Sequence, residues 1–379
     1  MIVKIADNIS SPLGWDTASN YDAVLDNRSC LKLHEGTWGV PEPFMASIFE
    51  DGAISERFAA LGGDTSVYSR FEQLCILSVA DALNHAPQID VTSQNTVLVL
   101  STTKGNVEAI DRDYNGVGSE YLGDSAQRIA EHFGFTNTPI VVSNACISGL
   151  CAQIVAMRSL ESGRYDTAVV VGADVQSRFI VSGFQSFKAL SQEQCKPFDA
   201  ERCGLNLGEA AATVIYQRTD SFNDQWCALR GAIRNDANHI SGPSRTGEGS
   251  YRAMRAVLDG FDINEVGLVN VHGTSTPYND EMEAIALGRL GLDKTPINTL
   301  KGYYGHTMGA AGVLEAVMTM HALDHGVILA TRGYNNCGTS VPLDVSSSHR
   351  NTNAKAFVKL LSGFGGCNAA MLFKKGGQE

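Results

Sequence analysis

One cysteine of this 379-residue chain lies where a thiol could act as a nucleophile. The stretch VVSNACISGLCAQIVAMRSLESGR predicts the end of a β-strand, then Cys146, then a long apolar helix. Unpaired N–H groups and the dipole at a helix amino end stabilise a thiolate, which lowers the pKa of a thiol. The same N–H groups could hold a developing oxyanion. Most cysteines in proteins are small buried apolar residues with no catalytic role. The position at the start of a helix is what makes Cys146 a candidate nucleophile.

A histidine and two hydroxyls follow a second predicted strand. The stretch NVHGTSTPYNDEMEA runs from an apolar strand through a turn into a helix, with His272 at the strand end. A lone histidine in such a place is usually structural. The hydroxyls of Thr274 and Thr276 would face a ligand bound in a cleft at this strand end. Asp280 and Glu283 are acidic residues of the kind favoured at the amino end of the following helix.

A carboxylate stands inside a predicted buried helix. The stretch KGYYGHTMGAAGVLEAVMTMHAL has apolar or small residues on most sides of the helix, and Glu315 lies among them. A buried Glu315 needs a cationic or hydrogen-bonding partner, and Lys301 and His306 are the candidates just upstream. The alternative is a solvent-exposed Glu315 on a helix seam.

A glycine hairpin is predicted near the carboxyl end. In KLLSGFGGCNAAMLF a strand is interrupted by glycines around Phe364 and then resumes. Glycine lets the backbone approach a ligand closely, so Gly365 is a candidate substrate contact and the Phe364 N–H could point into a cleft. Phe364 could equally be a core residue. No glycine group fits GxGxxG after a strand or GxxxxGK[ST], so nucleotide binding is not favoured.

These residues are carried by a pattern that occurs twice. Each half of the chain offers strand, helix and strand in the same order, which indicates an α/β fold with helices covering a largely parallel or mixed sheet. The segments are 95–105, 140–163 and 165–175, then 266–276, 296–326 and 354–366. If a pseudo-twofold relates the halves, Cys146 and His306 occupy equivalent corners and His272 ends another strand. Ligands gather at such strand and helix ends, so one cleft is expected.

Composition narrows the function classes. Apolar residues make up 44% of the chain and charged residues 18%, and there are 38 glycines, as in a tightly packed α/β enzyme. The net charge of -12 argues against nucleic acid or an anionic membrane as the main partner. The length suggests two domains or two halves.

Cysteine usage and the termini predict a compartment. The nine cysteines include no CxxC pair, so zinc ribbons and thioredoxin-like chemistry have no support and no metal is expected. No secretion signal or apolar run of roughly 18 residues is present, so a reducing cytoplasm is expected.

Four motifs together resemble a known family. NACISGLCA, VHGTSTPYND, LKGYYGHTMGAAGVLEA and SGFGGCNAA, in this order, resemble the β-ketoacyl-[acyl-carrier-protein] synthases of the thiolase superfamily, the elongating kind with a Cys-His-His site. The resemblance implies the thiolase fold, with duplicated halves in a five-layered αβαβα core, normally as a dimer. We expect residues 1–225 to form the half with the nucleophilic cysteine and 226–379 the half with both histidines.

The resemblance assigns catalytic roles to five of these residues. Cys146 is similar to the acyl-accepting nucleophile of an acyltransferase. His272 and His306 are similar to the pair that binds the malonyl thioester carbonyl and stabilises the enolate formed on decarboxylation. Lys301 and Glu315 match the supporting charge network. The implied reaction is a decarboxylative Claisen condensation in fatty acid, polyketide or polyene synthesis.

It also implies how substrates are held. The amides of Cys146 and Phe364 would form the oxyanion hole, with the Phe364 ring as a gate. Thr274 and Thr276 match threonines that hydrogen-bond a phosphopantetheine arm, and Gly365 belongs to the same substrate-binding region. The arm would arrive on an acyl carrier protein, and no tightly bound cofactor, nucleic acid or membrane partner is expected.

Other functions stay open on the sequence alone. An initiating synthase or degradative thiolase would place Asn or a second Cys at the position of His306. A non-catalytic chain-length-factor-like subunit of a heterodimer would replace the nucleophile, whereas this chain keeps Cys146. A metal-binding protein using Cys146, His272 and His306 is chemically allowed. Ser362 and Asn279 depart from the Phe and Gly common in the family, so the acyl preference is not predicted. The sequence also does not predict whether the dimer is homo- or heteromeric.

Overall fold

The computed structural model describes residues 1–110, 116–220 and 224–377. The two predicted halves also include residues 111–115, 221–223 and 378–379, which lie outside the described part of the chain.

Fifteen strands are present in the described residues. They are β1 Ile2–Ser10, β2 Leu31–His34, β3 Phe44–Ser47, β4 Thr96–Ser101, β5 Ile140–Val142, β6 Thr167–Asp174, β7 Leu207–Gly208, β8 Ala210–Arg218, β9 Trp226–Asn235, β10 Leu268–Asn270, β11 Ile297–Asn298, β12 Val327–Ile328, β13 Arg350–Asn351, β14 Ala356–Gly363 and β15 Cys367–Lys375.

Ten α-helices accompany them in the same part of the chain. They are α1 Thr17–Leu25, α2 Ala53–Ala60, α3 Arg70–Asn84, α4 Leu122–Phe133, α5 Ser148–Glu161, α6 Arg178–Ser186, α7 Glu248–Leu258, α8 Pro277–Leu290, α9 Lys301–Tyr304 and α10 Ala311–Asp324. Among the described helices, none has the length and apolar character needed to span a bilayer.

Ten strands form one sheet that consists of two equivalent halves. The strand order is β11-β10-β14-β15-β9-β1-β8-β6-β4-β5, and the residue pair Val3–Cys227 joins the halves between β1 and β9. Numbered within its own half, each set of five strands has the order 3-2-4-5-1 from its outer edge. Counted from the outer edge of each half, the first three strands pair with one another in parallel, and the remaining two pair antiparallel to their neighbours. The predicted duplication is therefore present in the topology.

The helices complete five layers. Helices α5 and α10 lie between the two half-sheets and contribute to a central core that both half-sheets face. Helices α3 and α4 cover the outer side of the first half, and α7 and α8 cover the outer side of the second. This αβαβα arrangement confirms the predicted thiolase fold.

Burial explains why these segments are so apolar. Strands β4 and β6 are buried along their whole lengths because helices cover both faces of the sheet, so their sequences TVLVLS and TAVVVGAD do not alternate. Helix α10 is buried on nearly all sides, which matches its unusually apolar sequence.

The two central helices touch backbone to backbone. A Cβ atom on Gly312 of α10 would lie 2.6 Å from the carbonyl carbon of Gly149 in α5, and one on Gly149 would lie 2.7 Å from the Gly309 carbonyl oxygen. The side chain of Gln153 donates a hydrogen bond of 2.9 Å to the Gly312 carbonyl. Only glycine allows this approach, and it brings the amino ends of α5 and α10 together.

Substituting the crossing glycine tests this packing. We expect Gly312→Ala to lower the free energy of unfolding by about 1–3 kcal/mol or more, because both backbones must move apart to admit a methyl group. The matched control is Gly123→Ala in α4, where a Cβ meets nothing within 4 Å. This control should be neutral or stabilise by about 0.5–1 kcal/mol. Denaturant titration of both variants provides the comparison, and equal effects would contradict the crossing.

Candidate active site

The nucleophile candidate lies on a strained corner. Cys146 follows β5 and precedes Ile147, the N-cap of α5, and only 7% of its surface is exposed. The preceding Ala145 has φ 46°, a left-handed conformation that costs a non-glycine residue on the order of 1–3 kcal/mol. Ser148 holds this turn, because its hydroxyl donates to the Ala145 carbonyl at 2.6 Å and accepts from the Asn144 N–H at 2.7 Å.

The protonation state of the thiol differs from the sequence-based expectation. Burial raises the pKa of the Cys146 thiol, although a hydrogen bond from the Phe364 N–H and the charges of Lys301 and Lys104 act in the opposite direction. The predicted lowering of this pKa is therefore wrong in direction. The helix amino end is covered by protein, and a buried thiolate loses more solvation than these groups return.

Two acidic residues hold the loop that carries His272. The Glu283 carboxylate accepts the N–H groups of His272 and Gly273, each at 2.7 Å. Asp280 accepts the Thr274 N–H at 3.0 Å. Burial raises the pKa of Glu283 to about 7 and that of Asp280 to about 6. The sequence predicted only that these two acidic side chains favour the start of the helix. In the structure they also fix the backbone of the loop after β10.

His306 presents one defined donor. Its backbone N–H donates to the Asn206 carbonyl at 2.7 Å, which ties this residue to the first half of the chain. Its Nδ1 accepts the Met308 N–H at 3.2 Å, so the proton of a neutral ring is on Nε2. That Nε2 is buried without a hydrogen-bond partner among the described residues. It is therefore available to donate to a bound oxygen.

The three predicted reactive side chains converge. The sulfur of Cys146 and a ring nitrogen of each of His272 and His306 lie within 4.8 Å of one another. The two imidazole rings are 5.0 Å apart between centroids and nearly perpendicular, at 83°. Burial lowers the pKa of both histidines well below the usual range, and the charge of Lys301 lowers both further. Both rings are therefore neutral near pH 7, and each keeps one N–H donor.

Two lysines share one buried carboxylate behind the histidines. Glu315 is only 3% exposed, so the alternative of a solvent-exposed side chain is wrong. Its carboxylate lies 2.7 Å from Lys301 Nζ, as predicted, and 2.6 Å from Lys359 Nζ. The second partner is thus Lys359 rather than the predicted His306. Burial raises the pKa of Glu315, but the two ammonium groups outweigh burial and leave it lowered.

Sequence reasoning missed Lys359. The available signal was its position within AKAFVKLLSG, where a lysine interrupts an otherwise apolar strand whose residues are buried from Ala356 to Ser362. A charged residue in such a strand almost always has a specific partner.

A second missed residue joins the two halves. Asp174, at the end of β6, accepts the Thr102 hydroxyl at 2.7 Å and the Gly309 N–H at 2.7 Å. It also accepts the Thr103 hydroxyl at 2.9 Å. Burial raises the pKa of Asp174 despite these hydrogen bonds. An acidic residue that closes the buried run AVVVGAD was the signal for it.

The predicted hairpin places Phe364 at the thiol. β14 and β15 are joined through Phe364, whose backbone N–H acts on the Cys146 thiol and lowers its pKa. Its ring packs against Phe184 and Phe187, with centroid distances of 5.7 and 5.2 Å. The ring is thus part of an aromatic cluster beside the thiol rather than of the central core.

The predicted substrate-binding residues differ in their availability. The hydroxyl oxygens of Thr274 and Thr276 lie 2.9 Å apart, with Thr276 half-buried. The Gly365 N–H donates to the Ile240 carbonyl at 2.7 Å, and its own carbonyl accepts from Asn235 at 2.9 Å. The polar backbone groups of Gly365 are therefore bonded within the protein, and its φ of 83° serves the turn.

This arrangement can perform acyl transfer. A thiol with an adjacent backbone N–H can accept an acyl group, and two neutral imidazoles can stabilise a negative oxygen between them. Cys146, His272 and His306 are also close enough to hold one metal ion, and cysteine and histidine are common zinc ligands.

Comparison with protein families identifies two matching models. The beta-ketoacyl synthase N-terminal domain matches residues 50–221, and the beta-ketoacyl synthase C-terminal domain matches residues 227–335. Together they span most of the chain.

Individual proteins match along nearly the whole length. A 3-oxoacyl-[acyl-carrier-protein] synthase 2 of Vibrio harveyi is 30% identical, over 99% of this chain and 98% of its own. A beta-ketoacyl synthase structure from Burkholderia phymatum STM815 superimposes with a TM-score of 0.88 at 23% identity, covering 99% of both chains. A ketosynthase from Xenorhabdus doucetiae, solved in complex with its chain length factor, gives a TM-score of 0.85 at 23% identity, covering 99% of this chain and 98% of the other.

The direction of the Cys146 pKa shift can be tested by alkylation. We expect the rate of iodoacetamide reaction at Cys146 to keep rising above about pH 8.5, the usual pKa of a cysteine, because burial disfavours the thiolate. Peptide mass spectrometry from pH 6 to 10 measures this rate separately from the exposed Cys203 and Cys337. A rate that is constant above about pH 7 would show instead that the helix amino end outweighs burial.

Proposed function

We propose that this chain, which belongs to the β-ketoacyl synthase family, catalyses a decarboxylative Claisen condensation. The reaction joins an acyl thioester held on Cys146 with malonyl-acyl carrier protein. The convergence of Cys146 with His272 and His306 within 4.8 Å carries this proposal. The product is β-ketoacyl-acyl carrier protein, and the enzyme is an acyltransferase.

In the first step, the sulfur of Cys146 attacks the carbonyl carbon of the acyl thioester on the carrier protein. The new C–S bond forms as the bond to the carrier's sulfur breaks, and the proton of Cys146 leaves with the carrier thiol. The N–H of Phe364, which acts on the thiol in the resting site, stabilises the tetrahedral oxyanion together with the N–H of Cys146.

In the second step, malonyl-acyl carrier protein replaces the free carrier. The thioester carbonyl of the malonyl group binds between the N–H donors of His272 and His306. Loss of CO2 leaves its bonding electrons on the enolate, and the two donors stabilise the negative oxygen without accepting a full positive charge. Neutral rings suit this role because each supplies an N–H in the resting state.

In the third step, the enolate carbon attacks the acyl carbonyl on Cys146. The tetrahedral intermediate collapses, the carbon–sulfur bond to Cys146 breaks, and the thiolate regains a proton from solvent. The same oxyanion hole serves the first and third steps, because both pass through a tetrahedral oxyanion on the acyl carbon bound to Cys146.

The substrate arm is phosphopantetheine delivered by an acyl carrier protein. Thr274 and Thr276 lie two to four residues after His272, and their paired hydroxyls can hydrogen-bond the amides of such an arm. Phe364, whose ring contacts two other aromatic rings at the thiol, acts as the gate, and Gly365 shapes the turn that carries it. We place the reaction in the cytoplasm, with no tightly bound cofactor or metal and no membrane or nucleic-acid partner.

The working assembly is a homodimer or a heterodimer with a related ketosynthase-like subunit. The Xenorhabdus doucetiae ketosynthase is in complex with its chain length factor, which supports the heterodimer as one of the two forms. The alternative function is that of the non-catalytic, chain-length-factor-like subunit. Cys146 favours the catalytic role because such subunits replace the nucleophile.

Intact-mass measurement tests the nucleophile. Incubation with a panel of acyl-loaded carrier proteins is expected to add one acyl group, and malonyl-loaded carrier should then remove it. Cys146→Ala should abolish the adduct, whereas Cys203→Ala, at an exposed thiol, should retain it. The adduct should also form after dialysis against a chelator, which excludes a metal-dependent site. The absence of an adduct with every donor would favour the partner-subunit function.

A second variant separates the two half-reactions. We expect His306→Ala to retain acyl transfer to Cys146 and to slow malonyl decarboxylation by about a hundredfold, because one donor to the enolate oxygen is lost. His239→Ala, at an exposed position, is the control and should match the parent enzyme. Labelled CO2 release and adduct mass are measured in parallel. Equal loss of both half-reactions would contradict this division of roles.

A further inference from the structure

Among the described residues, Lys359 is buried and has no carboxylate that it alone binds. The side chain of Lys359 is 0% exposed, and its Nζ lies 2.6 Å from the carboxylate of Glu315, which also binds Lys301. Its other contacts are three backbone carbonyls, those of Asn270 at 3.4 Å, Val271 at 3.3 Å and Leu360 at 3.1 Å.

These contacts join the segments that carry the reactive groups. The carbonyls of Asn270 and Val271 directly precede His272. Glu315 belongs to α10, which begins shortly after His306, and Lys359 itself stands on β14, which leads to the hairpin of Phe364. One ammonium group therefore bridges the backbone before the first histidine, the helix after the second, and the strand that supplies the oxyanion donor.

The charges in this cluster do not cancel. Two lysines on one glutamate leave a net charge of +1 when all three are ionised. Burying an ion pair already costs free energy relative to apolar side chains of the same size, and an additional buried charge costs more. Burial accordingly lowers the pKa of Lys359 to about 8. Such a cost is unusual for a residue whose only task is packing, and methionine would fill the same space.

The positive charges of this cluster act on both histidines. The charges of Lys301 and Lys359 both act on His272 and on His306, and both disfavour protonation of the rings. Glu283 is the other buried carboxylate that acts on Lys359. A positive charge that acts on two neutral imidazoles strengthens their ability to stabilise a negative oxygen bound between them.

We propose that Lys359 is a positioning residue for the decarboxylation step, in which it holds the His272 backbone against α10 and supplies the positive charge that favours the enolate oxygen between the histidines. This role rests on the proposed condensation. Acyl transfer to Cys146 depends on it less, because the oxyanion of that step is held by backbone N–H groups rather than by the imidazoles.

The test removes the charge and compares the two half-reactions. We expect Lys359→Met to slow malonyl decarboxylation about tenfold and acyl transfer to Cys146 much less. It should also raise the pKa of His272 and His306 by about one unit, followed through histidine NMR resonances assigned with single alanine variants. The matched control is Lys375→Met, at the far end of β15, which removes a mostly buried lysine that pairs with the more exposed Asp224 and Asp324 and should change neither quantity.

A further variant separates charge from structural disruption. Glu315→Gln removes a negative charge, so it must not raise the histidine pKa values, whereas water penetration into a damaged site would raise them in both variants. Raised pKa values in Glu315→Gln, or unchanged histidine pKa values and half-reaction ratio in Lys359→Met, would overturn the proposal. If Lys359→Met does not fold, Lys359→Gln provides the same test with a polar side chain.

The NMR measurement needs no substrate. If the parent protein gives no condensation product with any of the acyl donors, the proposed function fails. The histidine pKa values still report in that case whether Lys359 supplies the charge. If the parent condenses normally and the Lys359 variants keep both the half-reaction ratio and the histidine pKa values, only the role of Lys359 is rejected.

Discussion

The direct contact between α5 and α10 is the constraint on which the rest of the structure depends. Glycines at 149 and 312 let the two backbones touch, so no side chain separates the amino ends of the helices. Cys146 precedes one helix and His306 the other, and their distance is set by that contact. The layers around the helices bury this crossing in a close-packed core, where each charged group must have a defined partner.

The site is assembled from buried polar groups that stabilise one another's positions. Asp174 joins the loops after β4 and before α10, Glu283 fixes the backbone of His272, and Glu315 binds two lysines. Each group would be costly alone, and together they leave neutral imidazoles and a protonated thiol beside a net positive charge. The resting site is therefore poised for charge that develops on the substrate, not for charge that it already carries.

The sequence predicted the elements and the main reactive residues because these depend on local pattern. Strand ends, the apolar helices and the duplicated order are visible in short stretches, and Glu315 was conspicuous in an apolar helix. Lys359 and Asp174 were missed because fully buried strands do not alternate, so their sequence does not indicate where a side chain points. The thiol pKa was predicted in the wrong direction because helix position is local, whereas the burial of Cys146 arises from tertiary packing.

The duplicated topology has a consequence for what each half could do alone. Thr103 follows β4 at the same offset as His272 follows β10, so the first half has a hydroxyl where the second has an imidazole. Cys146 precedes α5 in the first half, and His306 precedes α10 in the second. Neither half contains Cys146, His272 and His306 together. Two copies of the first half would bring together two thiols without these imidazoles, and two copies of the second would bring together imidazoles without the thiol. The two halves therefore carry complementary groups, and the site is complete only when both halves are present in one molecule.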